Sequence, residues 1–200
     1  MSNTCINSIR IEGPEKDLIT LKDHINAVRK GEKAKHYRNL YLLLLRLGYP
    51  QSEAEEYDIR EDFTGGDAEI ENGILKLDTE SAWSFQSSGW EAVRKKFPAV
   101  GIYYLAEELG NCVFETNDTA HRHFPYRYCL DWWNEKIGDG ETEYFNDDCS
   151  LIEYVHDQFD STVGTYEQAQ KALQAFGETS SDNYANLTEI HDNTEYDLLP

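Results

Sequence analysis

The chain has 200 residues and a formal net charge of −20, with 40% hydrophobic and 12% aromatic residues. That is enough apolar side chain for a core in one domain with an appended piece. A field of this sign repels nucleic acid and anionic membrane surfaces and attracts basic partners, so neither direct nucleic-acid binding nor membrane binding is expected.

Residues 5–12, CINSIRIE, read as a strand with Ile9 and Ile11 on one face, ended by Gly13-Pro14. Leu18, Leu21, Ile25 and Val28 then recur at helical spacing, and Gly31 follows as a stop. A second helix is predicted from His36 to Leu47, closed by Gly48-Tyr49-Pro50, with one more turn within 51–59. Residues 58–63 and 67–71 are two weak strands divided by Gly65-Gly66. ILKLDTESAWSF is a long alternating one that puts Trp83 and Phe85 on the buried face. Ser88 and Glu91 have capping-box spacing ahead of a helix that buries Trp90, Val93 and Phe97 and stops at Pro98. Residues 100–108 form a strand, Gly110-Asn111 a tight turn, and Cys112-Val113-Phe114 its partner. Further on, 126–134 and 142–147 read as strands with a hairpin turn at Asp139-Gly140. Two amphipathic helices follow, one on Leu151, Ile152, Val155 and Phe159, the other on Tyr166, Ala169, Leu173 and Phe176. In the acidic tail, Leu187 and Ile190 are expected to dock on the fold.

This order is the split β-α-β plan: an α+β, ferredoxin-like sheet with an inserted helix and a C-terminal strand/helix extension. The expected boundaries are 1–116 for the ferredoxin-like domain, 117–176 for a β/α extension packed on it, and 177–200 for the acidic tail. Asn7, Ile9, Gly13, Trp83, Phe85, Trp90, Phe97, Pro98, Glu108 and Gly110, in this order of elements, resemble the YubB/Api-like family. That family consists of ferredoxin-like accessory proteins carried by plasmids and phage-like elements. The resemblance covers about the first 115 residues. It departs from the family pattern at Ser87-Ser88-Gly89, where a proline-rich turn is expected, and at 59–73, which lack an N-W-G-x-K-W-like segment. It implies an accessory role in a mobile element and carries no catalytic residues with it.

Charge is segregated along the chain. Residues 1–50 hold 9 Lys/Arg and 5 Asp/Glu, whereas 136–200 hold 2 and 15. Arg29, Lys30, Lys33, Lys35 and Arg38 gather at one helix junction, and their expected partners are the protein's own acids. Cys5, Cys112, Cys129 and Cys149 show no C-x-x-C spacing. MSNTCINSIRIEG has no signal-peptide pattern, and the longest apolar run, Leu40 to Leu45, is too short to span a membrane. A cytoplasmic setting with free thiols is the expectation.

Two groups of residues are candidates for a site. His121 and His123 would share one face of a strand as half of a metal site, completed by Cys112, Cys129 or Asp131; a polar loop is the competing reading, and no cofactor or metal is expected. Trp132 and Trp133 face opposite sides of a strand, so one is expected buried and one partly exposed; the exposed one could stack on a partner, but the favoured expectation is that the C-terminal helices cover Trp133. With Asp139, Glu141, Glu143, Asp147 and Asp148 they outline a candidate interaction surface. No P-loop, G-x-S-x-G, G-x-G-x-x-G or H-E-x-x-H is present. The leading expectation is a non-enzymatic acidic module that binds a basic protein, in the manner of a DNA mimic. The alternatives are a small-pocket enzyme using residues around 112–133, and an acidic surface serving solubility alone.

Overall fold

The computed structural model describes residues 4–31, 38–108, 110, 113–159 and 162–200. Strand β1 (Thr4–Glu12) leads through helix α1 (Glu15–Lys30) and two short helices, α2 (Asn39–Arg46) and α3 (Gln51–Glu56). Strands β2 (Glu61–Glu71) and β3 (Ile74–Ala82), helix α4 (Ser87–Lys96) and strand β4 (Gly101–Glu108) follow. These strands lie in the order β2-β3-β1-β4, with β1 antiparallel to both neighbours. The fold is α+β and this sheet has the ferredoxin-like order. The alternation of β1 explains its place at the centre: Cys5, Asn7, Ile9 and Ile11 are all fully buried on the helix side.

The second half builds another sheet. It comprises β5 (Val113–Thr116), β6 (Tyr128–Asn134), β7 (Asp139–Phe145), α5 (Asp148–Gln158), α6 (Tyr166–Gly177), β8 (Tyr184–Glu189) and β9 (His191–Asp192). β5 and β9 extend the first sheet beyond β4, while β7-β6-β8 form a separate antiparallel sheet. Three apolar clusters then define four layers. One lies between α1–α4 and the first sheet, and includes Leu21, Ile25, Leu43, Trp90 and Tyr104. A second lies between the two sheets, built on Tyr103, Leu105, Phe114, Phe124 and Cys129. The third lies between the second sheet and α5–α6, built on Tyr128, Leu130, Trp132, Leu151 and Leu173.

Local departures from the sequence reading have local causes. The two weak strands are one strand, bulged between Thr64 and Glu69 with Gly65 at φ 69°. Side chains from α1 hold the bulge: Asn26 bonds the backbone of Ala68 through both amide atoms, and Arg29 donates to the Thr64 carbonyl at 2.7 Å. Lys30 and Arg38 pair with Asp67 and Asp62, so this part of the basic cluster meets the protein's own acids. Lys33, Lys35 and His36 lie outside the described residues, as do Asn111 and Cys112.

Trp83 is not on the buried face. Its backbone turns to φ 72° just after β3, which breaks the alternation and leaves the indole 53% exposed. Phe85, past the turn, is buried and stacks on Tyr104 at 3.8 Å between ring centroids. Gln86 rather than Ser88 is the N-cap of α4, and it makes no side-chain cap bond, so the capping box does not form. The β6–β7 turn falls at residues 135–138, with Gly138 at φ 65°, and Asp139-Gly140 already belong to β7.

The tail is woven into both sheets. β8 pairs with β6 and sets Leu187 opposite Leu130, and β9 runs parallel to β5. Ile190 packs into the layer between the sheets. The deepest contact is Leu198, fully buried, whose carbonyl accepts from Ile102 N at 2.8 Å.

Candidate functional site

His121 and His123 lie in a loop, not on a strand. The loop is tied by Asp118, whose Oδ2 accepts from His123 N at 2.6 Å and Phe124 N at 3.2 Å. The two imidazoles meet different carboxylates. His121 Nε2 is 3.6 Å from Asp192 Oδ1, and His123 Nε2 is 3.3 Å from Glu12 Oε1. The His123 ring is buried against Tyr103, 4.6 Å between centroids, and the Tyr103 hydroxyl accepts from Arg122 at 2.6 Å. The cluster therefore ties this loop to β1 and β4 on the face of the first sheet that looks toward the second sheet. Among the described residues no group of three or more His, Cys, Asp or Glu could hold a metal. Cys129 is buried between the sheets, and burial, with Glu107 and Asp131 nearby, pushes its thiol up to about 12. At neutral pH it is a protonated, unreactive thiol.

The tryptophan pair divides as adjacent strand residues must, but the C-terminal helices cover Trp132 and not Trp133, contrary to expectation, because α5 and α6 dock on the Tyr128-Leu130-Trp132 face of β6. Trp132 is buried under α5 and α6, edge-on to Phe159 and Phe176, and its Nε1 donates to the Tyr154 hydroxyl at 3.0 Å. Trp133 points the other way and stays 38% exposed. The acids outlined with them separate too. Register puts Glu141 opposite Trp132 and Glu143 opposite Leu130, so both lie on the helix side, where Glu141 accepts from Tyr154 at 2.6 Å. Asp147 caps α5, and its carboxyl is held below the usual range by the Ser150 N–H and hydroxyl. Asp148 accepts from Arg127 at 2.9 Å and from Tyr128 at 2.7 Å.

On the Trp133 side the register assembles residues that are far apart in sequence. Trp133 pairs with Gly140 on one strand and Tyr184 on the other, and Asp131 pairs with Thr142 and Asn186. The Asp131 carboxylate accepts from Thr142 Oγ1 at 3.1 Å and lies near the Tyr184 hydroxyl, whose ionisation burial and this negative charge oppose. Gly140 permits this surface: a Cβ there would lie 3.0 Å from Trp133 Cε3 and 2.2 Å from the Trp132 carbonyl oxygen. Tyr184 is 41% exposed, and Ile137 at the adjoining hairpin turn is 66% exposed. No family model, curated protein or solved structure matches the chain.

A second polar feature is internal. Glu61 is fully buried and accepts from Trp90 Nε1 at 2.8 Å, beside a row in which Asn7 donates to Thr79 and Ser81 at 3.0 Å each. Burial raises its carboxyl to about 7, against the opposing pull of the bonds from Thr79 and Trp90. Oε2 has no hydrogen-bond partner. Two shallow polar depressions, of about 100 and 220 Å³, lie over β1–β3; one is lined by Arg38, Arg60, Asp62 and Glu80, the other by Arg10, Lys76 and Asp78 among others. Both pair opposite charges within their own walls. Sequence reasoning missed Glu61 and Tyr184. Glu61 was legible as an acid in the apolar register Ile59-x-Glu61-x-Phe63, and Tyr184 as the start of the alternation Tyr184-x-Asn186-x-Thr188.

Proposed function

We propose that the chain is an acidic protein-interaction module that binds a basic protein partner and contributes no catalytic step of its own. The observation that carries this reading is the state of the acids in the outer layer. Among the described residues, the carboxylates of β7, α5, α6 and β8 meet one arginine, Arg127, through Asp148 and Glu189, and one histidine, His156, through Asp157. Glu153, Asp157, Glu167, Glu178 and Asp182 are exposed, and Lys136 and Lys171 are the only other cations of the layer. Around the first sheet more acids are matched: Asp58, Asp62, Asp67, Glu71 and Asp78 pair with Arg60, Arg38, Lys30, Lys76 and Arg10. Unmatched charge of one sign on one side of a protein steers partners of the other sign. The resemblance of the first 115 residues to YubB/Api-like proteins suggests that the partner belongs to the host of a plasmid or phage-like element, with the acidic layer standing in for a nucleic-acid backbone.

The test is a pull-down from the host at low salt with elution by a salt step. Wild type is compared with a variant combining Glu153→Lys, Asp157→Lys and Glu167→Lys. A basic protein retained by wild type, released as the Debye length falls below about 8 Å, and lost from the variant is the expected result. Retention indifferent to both salt and charge reversal overturns the reading.

A further inference from the structure

We propose that Trp133, Tyr184 and Asp131 form a seat for an arginine side chain of the partner. This rests on the reading of the chain as a module for basic proteins and names the point at which the partner is anchored. Three of the large apolar side chains left exposed, Trp133, Ile137 and Tyr184, gather at one end of the second sheet. Trp133 and Tyr184 are directly paired across β6 and β8, and Asp131 lies two residues back on the same face. An exposed indole beside a carboxylate matches the two requirements of a guanidinium: a π face to stack on and an acceptor for its N–H fork. The carboxylate is oriented in advance, because Thr142 Oγ1 donates to it at 3.1 Å from the neighbouring strand. The indole is positioned as well, since it lies against the bare Cα of Gly140. The rim is acidic: Glu135, Asp139 and Asp182 are exposed around the same end, with Lys136 the cation of the turn. Charge complementarity therefore selects a cationic side chain over a neutral ligand such as a sugar, and planarity selects arginine over lysine.

The experiment titrates the full chain with two peptides of equal charge, one alternating Gly and Arg, the other Gly and Lys, and with a neutral glucose hexasaccharide. The arginine peptide is expected to bind several-fold more tightly than the lysine peptide. Trp133→Ala and Asp131→Asn are each expected to weaken the arginine peptide about fivefold while changing the lysine peptide less. Trp133→Phe keeps a ring and retains most of the preference, and melting curves confirm that each variant is folded. Equal affinity for the two peptides, unaffected by Trp133→Ala but lost on reversing Glu153, Asp157 and Glu167, removes the seat and leaves the acidic-module reading standing. Failure of both peptides to bind removes both. Binding of the hexasaccharide that depends on Trp133, with no preference between peptides, overturns the arginine seat in favour of a sugar platform.

Discussion

Glu61 occupies a position in β2 between Ile59 and Phe63 where the strand pattern asks for an apolar side chain, and its bond to Trp90 is the one direct link from the β2 edge to α4 made by a carboxylate. The folded protein holds a proton there up to about pH 7, whereas the unfolded chain gives it up near 4.5. Folding is therefore favoured most below pH 4.5, and that contribution is lost as pH rises through 7, a change on the order of 3 kcal/mol. Glu61→Gln keeps an acceptor for Trp90 and removes the titration. Its melting temperature is expected to match wild type near pH 4 and to exceed it at pH 8; equal melting at both values would show that burial does not tune this group. The cysteines give a second residue-scale prediction. Cys5 and Cys129 are buried with thiols pushed up to about 12, while Cys149 is exposed. Alkylation of the native protein at pH 7.5, read by peptide mapping, should label Cys149 in minutes and leave Cys5 and Cys129 unlabelled until denaturant is added.

At the scale of elements, the C-terminal segment holds the layers together. Leu198 fills the first core while its carbonyl bonds Ile102, Asp197 pairs with Arg94 at 2.9 Å, and Tyr196 lies 6.4 Å from Tyr104, ring to ring. Leu198→Ala removes a fully buried side chain and is expected to cost roughly 2–5 kcal/mol, a drop of several degrees in melting temperature. An unchanged melting temperature would mean that the segment merely rests on the fold. Gly140 is the corresponding point in the second sheet. Gly140→Ala forces a Cβ onto the Trp132 carbonyl and the Trp133 ring, and should lower stability by about 1–3 kcal/mol. The same substitution should also disturb the Trp133 fluorescence, which a purely local turn defect would leave unmoved.

For the whole molecule the dominant quantity is the net charge of −20, concentrated in the outer layer of the C-terminal half. Self-repulsion of that size opposes compaction and is relieved by screening. Raising sodium chloride from about 20 mM to about 300 mM at pH 8 is therefore expected to raise the melting temperature, because the Debye length contracts from about 20 Å to below 8 Å. Surface pairs such as Lys30–Asp67 weaken under the same change, but pairs so exposed contribute little. A melting temperature that falls with salt would show that the pairs around the first sheet outweigh repulsion in the second layer. No helix among the described residues is long and apolar enough to cross a membrane.

The chain alone determined most of the periodic elements up to α6 and their order, and with them the ferredoxin-like sheet; the tail strands β8 and β9 were not read from it. Helical spacing in Leu18-Leu21-Ile25-Val28 and alternation in β1 and β3 are local signals, since a segment buries one face whatever its partner. The division of Trp132 from Trp133 was legible for the same reason. Which of the two the helices cover was not: the expected one is Trp133 and the covered one is Trp132, because a strand's alternation is symmetric and only docking of α5 and α6 breaks it. The position of the β6–β7 turn, the bulge in β2 and the outward turn at Trp83 depend on backbone conformations at Gly138, Gly65 and Trp83 itself that neighbouring strands impose. The Asp131–Trp133–Tyr184 surface was beyond reach for a further reason. Its members lie about 50 residues apart, and only the register of β8 against β6 brings them opposite one another; a one-residue slip would have turned Tyr184 to the helix side.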